Sequence, residues 1–464
     1  MRINFYKAFL LIILFAAGCA HYPINPPLKA YDPEKGYRLK NISASGDSES
    51  LSLILTFSGG GMRAAAFSYG LLEELNRTKI SLDGRSRSLL DEVDLISSVS
   101  GGSFTAAYYG LFGKDIFTGF EDRFLKKNIQ RSLIIRLLLP QNWIRLASPV
   151  FNRSDLAAEY YDKYLFKGGT FSDITAREGP FVFVNATDMT MGTWFSFSQN
   201  QFDLICSDLS SFPVSRAVAA SSAVPVVLSP ITLRNYAGGC GYNIPEWMTE
   251  ALKKRETASR RFHQAVNIIS YLDAKKRPYI HLLDGGLSDN LGLRVAMDRV
   301  ILIGSAWRAL EEIGVKTREV VFIVVNAETE SDISWNQQES VPTISQALKS
   351  STTALLNRYN FETIELLKEN MQKWTKEVND RRCKEQAAES GAEPCKEISF
   401  YIIEVTFDAL KDESERIYLK GLPTSLKLPS EAVDRLRKAA KEILANSEEF
   451  QRLLRDLENK SFKE

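Results

Sequence analysis

Val93-Asp94-Leu95-Ile96-Ser97-Ser98-Val99-Ser100-Gly101-Gly102 begins as a strand and ends as a turn. Val93 to Ser97 is rich in β-branched and apolar residues, and Gly101 to Leu111 reads as a helix starting directly behind the turn. So sharp a turn needs small residues on either side of Ser100, whose hydroxyl then projects from the sheet edge. The helix behind it points its free N-terminal N–H groups and its positive dipole end at the same spot. This is the setting that gives a G-x-S-x-G pattern its meaning as a nucleophile elbow. Here Ser98 stands where the first glycine usually does, so one extra hydroxymethyl group has to be packed. Taken alone the pentapeptide is weak evidence, because turns rich in serine and glycine also arise by chance.

The same order of strand, turn and helix appears elsewhere. Leu51 to Phe57 is apolar, Ser58-Gly59-Gly60-Gly61 breaks it, and Met62 to Asn76 places Ala65, Tyr69, Leu72 and Leu75 on one side of a helix. Phe181 to Asn185, Ile280 to Leu283 and Val320 to Val325 are further strand-like runs. The recurrence predicts an α/β sheet with helices on both faces. Further on, Thr343 to Val378 reads as a long amphipathic helix with a break expected near Asn357. Ile398 to Phe407 reads as a strand, and Pro429 to Ala445 and Ser447 to Leu457 as charged helices. A strand so late suggests that the chain returns to the same sheet. Residues 51–330 then form the core, and 331–464 add helices and one strand packed on it. There is no internal repeat.

Three glycines let the backbone at Gly59, Gly60 and Gly61 approach a ligand closely, and their N–H groups can cradle an anion. In acyl transfer that anion is the tetrahedral oxyanion; the plain alternative is a glycine turn ending the strand. Arg63 lies in the first helical turn, where a cation opposes the helix dipole. That placement suggests a task, either holding a loop or contacting an anionic substrate. A nucleotide phosphate loop is disfavoured, since the Gly-Lys-Ser/Thr ending is missing, and so is a dinucleotide site, since Gly-x-Gly-x-x-Gly is missing.

A serine nucleophile needs a base, and the chain has only three histidines. His21 precedes the core, His263 lies in a basic helical segment, and His281 is on the strand leading to Asp284. Side chains alternate along a strand, so residues 281 and 284 face opposite sides. Asp284-Gly285-Gly286 offers a carboxylate at a strand end, where pockets form in open α/β sheets; an ordinary Asp-Gly turn is the competing interpretation.

Together and in this order, Gly59-Gly60-Gly61-Met62-Arg63, Ser98-Val99-Ser100-Gly101-Gly102 and Asp284-Gly285-Gly286-Leu287-Ser288-Asp289-Asn290 resemble the motifs of the patatin-like phospholipase family. Phe183 to Asp188 and Ala217 to Pro225 look like further family segments, with a weaker echo in Leu422-Pro423-Thr424-Ser425. The resemblance implies a three-layer α/β/α fold with a central, mostly parallel sheet, here carrying a helical C-terminal appendage. It implies hydrolysis of lipid acyl esters by Ser100 as nucleophile and Asp284 as base, with backbone N–H groups of Gly59, Gly60, Gly61 and Gly101 as oxyanion hole. It requires no metal and no cofactor.

Arg2 and Lys7 followed by an apolar run from Ala8 to Ala17 form a signal-peptide pattern too short to span a bilayer, which takes about 20 residues. Ala16-Ala17-Gly18-Cys19 resembles a bacterial lipoprotein signal, which implies cleavage after residue 18 and acylation of Cys19. With Ala20 next, the expected destination is the outer membrane. His21 to about Ser50, rich in proline and without periodicity, reads as a tether. Export makes Cys206, Cys240, Cys383 and Cys395 candidates for disulfides. Three pairings exist; Cys206–Cys240 and Cys383–Cys395 are favoured, the second across a long turn from Lys384 to Pro394, and inert buried thiols are the alternative.

Leu125 to Leu146 mixes apolar residues, among them Trp143, with Lys126, Lys127, Arg131, Arg136 and Arg145, and Pro140 divides it into two helical pieces. It suits either an anionic membrane surface or a core-facing helix pair with solvated charges. Gly241 to Lys276 is an insertion that serves as a lid or as a surface excursion. A net charge of +1 gives no field for nucleic acid, and no Cys/His cluster has zinc spacing. The expected function is a serine acyl hydrolase of phospholipase A or lysophospholipase type acting on a phospholipid or other acyl lipid. The alternatives are a non-catalytic binding lipoprotein and an esterase or thioesterase of the same fold.

Overall fold

The computed structural model describes residues 20–461 apart from 43–47, 49, 83, 258, 314–316, 331–333, 338, 391–394 and 396. The signal segment and Cys19 therefore lie outside the described residues.

Ten strands are present among them: β1 (Leu51–Phe57), β2 (Lys79–Leu82), β3 (Arg85–Ser88), β4 (Val93–Val99), β5 (Phe181–Asp188), β6 (Trp194–Ser196), β7 (Ile231–Arg234), β8 (Tyr279–Asp284), β9 (Glu319–Asn326) and β10 (Ser399–Thr406). The main sheet runs β10-β9-β1-β4-β5-β8-β7, with β6 beside β5, while β2 and β3 form a separate hairpin. β10, β9, β1, β4 and β5 are parallel, and β6, β7 and β8 join antiparallel.

The helices that bear on the site are α1 (Met62–Arg77), α2 (Gly101–Phe112), α3 (Ile129–Leu138), α4 (Pro140–Leu146), α5 (Arg153–Tyr161), α6 (Val214–Ser221), α7 (Ile344–Ser390) and α8 (Ser430–Asn446). Alternate residues of β9 enter two cores on opposite faces of the sheet. Val321, Ile323 and Val325 pack with Ala65 and Leu72 of α1 and Leu436 of α8. Val320, Phe322 and Val324 pack with Leu367, Met371 and Val378 of α7. A strand buried on both faces and hydrophobic throughout is the mark of a parallel sheet between two helical layers. The C-terminal third is part of these layers, since β10 pairs along the whole of β9.

Three expectations about the elements need correction. α7 runs without a break at Asn357, whose side-chain amide donates to the Thr329 carbonyl instead of competing for its own helix backbone. The helix also continues to Ser390, so the supposed turn after Lys384 is largely helical; its Lys, Glu, Gln and Ala are strong helix formers. Finally, residues 20–42 are a docked strap and not a free tether. Asn25, Tyr37 and Arg38 are buried in it, Asn25 bonds to Ser207 and Arg234, the Tyr37 hydroxyl to Val182, and Arg38 pairs with buried Asp203 at 2.8 Å. An extended segment held by single specific bonds has no periodicity to read, so its sequence looks like a linker's.

Candidate active site

The strand register assembles the site. Phe57 pairs with Ser98, Val99 with Asn185, and Ala186 with Asp284. The ends of β1, β4 and β8 therefore lie in one row across the sheet, although β8 runs antiparallel and touches β5 only through Leu282, Leu283 and Asp284. That row brings together residues far apart in the chain.

Ser100 sits in the turn between β4 and α2 with φ 49° and ψ −116°, a left-handed position that costs a non-glycine residue strain and that clusters at functional sites. Its hydroxyl donates to Asp284 Oδ2 at 2.8 Å. Asp284 Oδ1 accepts the Gly286 N–H at 2.8 Å, so both carboxylate oxygens are engaged, and Thr187 Oγ1 holds the Asp284 backbone by donating to its carbonyl at 2.8 Å. Both groups are nearly closed off, Ser100 at 5% and Asp284 at 7% exposure. Burial pushes the Asp284 carboxyl up to about 6, against the Gly286 N–H and the Ser100 hydroxyl, which lower it. A buried carboxylate with a displaced pKa beside a hydroxyl is the pairing that acid–base catalysis uses.

Packing sets the glycine loop against the elbow. A Cβ added at Gly101 would lie 2.0 Å from the Gly61 oxygen, and one at Gly59 would lie 3.4 Å from Ser100 Cβ. Gly60 and Gly61 adopt φ of 139° and 60°, which glycine alone takes easily. Among the described residues the amides of Gly60, Gly61 and Gly101 donate to no protein acceptor, so they are free for an oxyanion. Gly59 must be removed from that set, because its N–H is spent on the Asn290 carbonyl at 2.9 Å.

Arg63 is corrected as well. It is 2% exposed and donates to the Ala327 carbonyl, the Leu422 carbonyl and Thr424 Oγ1. Its guanidinium is used up in tying the glycine loop to two distant loops, leaving none for a substrate anion. Burial pushes its pKa down to about 10, with Glu328 opposing.

Ser221 of α6 has a role that the sequence did not reveal. Its oxygen accepts the Ser100 N–H at 2.8 Å and its own proton goes to the Asn185 carbonyl at 2.6 Å, so Ser103 must be the donor in their 2.9 Å contact. Ser221 thus fixes the strained elbow. The segment Ala217 to Pro225 that resembled the family contains it, but nothing in that segment distinguished Ser221 from its neighbour Ser222. Ser98 raises no difficulty, since its hydroxyl donates to the Phe183 carbonyl at 2.8 Å.

None of the histidines joins the pair. His21 contacts the Tyr22 carbonyl, His263 lies exposed on its helix, and His281 bonds Thr232 on the outer face of β8. The insertion 241–276 helps line an open, mostly apolar pocket of about 310 Å³, with Phe181, Trp194, Trp247 and Met248 among its walls but not Ser100 or Asp284. Cys206 is bonded to Cys240 and Cys383 to Cys395. Among the described residues no group of three or more His, Cys, Asp or Glu could hold a metal ion.

Residues 55–297 match the family of patatin-like phospholipases, and this stretch contains the glycine loop, the serine and the aspartate. The chain belongs to the patatin-like phospholipase family. Among solved structures it is similar to the human GIVD cytosolic phospholipase A2, at 12% identity and TM-score 0.42 over 90% of this chain and 61% of that one. It is also similar to VipD from Legionella pneumophila, at 13% identity and TM-score 0.31 over 88% of this chain and 67% of that one. The chain thus spans about 61% of the length of the human phospholipase. No curated protein matches it in sequence.

Proposed function

We propose that this chain is a lipid acyl hydrolase of phospholipase A or lysophospholipase type, exported and anchored through an acylated Cys19, that works by a Ser100–Asp284 dyad. The observation that carries the proposal is the 2.8 Å hydrogen bond from Ser100 Oγ to Asp284 Oδ2 beside the free amides of Gly60, Gly61 and Gly101. Ser100 Oγ attacks the acyl carbon while Asp284 takes its proton, and the carbonyl electrons move onto oxygen, where the amides stabilise the charge. The intermediate collapses, the ester bond breaks, and the leaving alcohol receives the proton from Asp284. Water then repeats the sequence on the acyl-serine with Asp284 again as base, and the fatty acid leaves. Ionised Asp284 alone fills the role that histidine fills in a triad.

The test is kinetic and covalent. Ser100→Ala and Asp284→Asn should each lower hydrolysis of a p-nitrophenyl ester by a factor on the order of 10³ or more while circular dichroism stays unchanged. A fluorophosphonate should label the wild-type chain and not Ser100→Ala. A folded wild-type chain that takes no label and cleaves no ester would instead be a lipid-binding protein that keeps the fold.

A further inference from the structure

We propose that α3 and α4, together with residues 224–227, form a surface that docks on an anionic lipid bilayer and turns the Ser100 site toward it. The orientation of the site rests on its reading as a lipid hydrolase; the docking does not.

α3 buries only Ile129, and the pair leaves large apolar side chains open, with Leu138 63% and Trp143 59% exposed and Ile134, Ile135 and Ile144 beside them. The Trp143 indole N–H already donates to the Leu137 carbonyl at 2.8 Å, so the ring needs no water partner to leave water. The opposite flank is taken up by α5 and the residues just after it: Arg145 pairs with Glu159, and Arg136 lies over the Tyr160 and Tyr164 rings. From Lys127 to Val150 there is no acidic residue, while Lys127, Arg131, Arg136 and Arg145 are basic. Exposed leucine, isoleucine and tryptophan beside the exposed Lys127 and Arg131 fit an anionic interface, although Arg145 is already paired with Glu159. A second copy of the chain would bring the same charges to the contact.

Residues 224–227 tie the site to the start of α5, the helix on which α3 packs. Arg153, the first residue of α5, donates to the Val226 carbonyl at 3.1 Å, and the Ala223 carbonyl accepts the Asp284 N–H at 3.0 Å. Between them Val226 is 77% exposed at φ 73°, a conformation that opposes β-branching, and Val227 is exposed too. The start of the strap meets the same surface, since Ser148 donates to the Ala20 carbonyl and Tyr22 N–H to the Val150 carbonyl, just beyond α4. A lipid on Cys19, the residue before Ala20, would attach the chain next to the segment that follows α4. Among the described residues no helix is long and apolar enough to cross a membrane.

The experiment uses the chain from residue 19 onward carrying Cys19→Ser, so that neither the signal segment nor acylation can supply attachment, and Ser100→Ala, so that the vesicles stay intact. It should sediment with phosphatidylglycerol vesicles and at least about tenfold less with phosphatidylcholine vesicles. Ile135→Glu, Leu138→Glu and Trp143→Glu together should weaken that binding by about tenfold or more. The same three changes with Ser100 restored should leave p-nitrophenyl butyrate hydrolysis unchanged, which checks the fold. As a milder probe, phosphatidylglycerol vesicles should blue-shift tryptophan emission in the parent, and Trp143→Phe should remove most of that shift. Binding that the triple change leaves intact, or a parent that ignores anionic vesicles, would overturn the proposal. So would a dimer in sedimentation that the triple change dissociates. Absence of ester hydrolysis in the Ser100 chain would defeat the proposed activity while leaving the vesicle result to be judged separately.

Discussion

Asp284 has to be charged to accept a proton, and its surroundings oppose that charge. With its carboxyl raised to about 6 by burial, kcat/KM should fall about tenfold per pH unit below about pH 6 and level off above it. A pH–rate profile flat down to pH 4 would remove Asp284 as the base. The same shift affects stability. The folded pKa lies above the ordinary aspartate value of 3.8, so protonation favours the fold. That stabilisation is fully present below about pH 4 and is lost as pH rises through about 6. Asp284→Asn should therefore be more stable than wild type at pH 8, by up to about 3 kcal/mol, with the difference vanishing near pH 4. Thermal melts of both proteins at the two pH values check the sign. At this scale the sequence was informative where the chemistry constrains residue type: a serine in a small-residue turn and a carboxylate before two glycines. It was uninformative where a side chain acts through geometry alone. For Arg63 the charge opposing the helix dipole left holding a loop and contacting a substrate both open, because the partners that decide between them, Ala327, Leu422 and Thr424, are backbone and side-chain oxygens hundreds of residues away.

The elements place these residues, and two of their contacts can be tested. Gly101 of α2 packs on the glycine loop with no room for a methyl group, so Gly101→Ala should displace the Gly60–Gly61 amides and lower kcat by about 100-fold or more, as expected for a lost oxyanion donor. Unchanged kcat in that variant would mean that the loop does not bind the oxyanion. Arg63→Met should act differently. It frees buried carbonyls of two loops, costing about 2–4 kcal/mol of stability. Chemical denaturation would show this as a lower midpoint, and an unaltered midpoint would refute the tying role. The recurrence of strand, glycine turn and helix made the parallel half of the sheet legible, because each unit carries its own periodicity. The antiparallel edge was not legible. β6 and β7 are short, and β8 meets β5 through only its last residues, so their direction depends on pairings that leave no local pattern.

Across the whole molecule, the strap of residues 20–42 links the N-terminal end to the sheet's antiparallel edge. Leu28 N–H bonds to the Cys206 carbonyl and Tyr31 N–H to the Cys240 carbonyl, so the strap lies directly along one disulfide. Asn25 adds bonds to Ser207 and Arg234 on the same corner. The disulfide closes a loop with a sequence separation of 34. In the chain-entropy picture a bond of that span contributes about 4 kcal/mol by restricting the unfolded chain. Cys206→Ala with Cys240→Ala should therefore lower the melting temperature. Because the strap's acceptors are the backbone of those two cysteines, it should also loosen the strap before the core gives way. Limited trypsin digestion would then cut at Lys29 and Lys35 in the double variant under conditions that leave wild type whole, both lysines being exposed already but held in place by their neighbours. Equal cleavage and equal melting in the two proteins would show that the disulfide contributes nothing to the position of the strap.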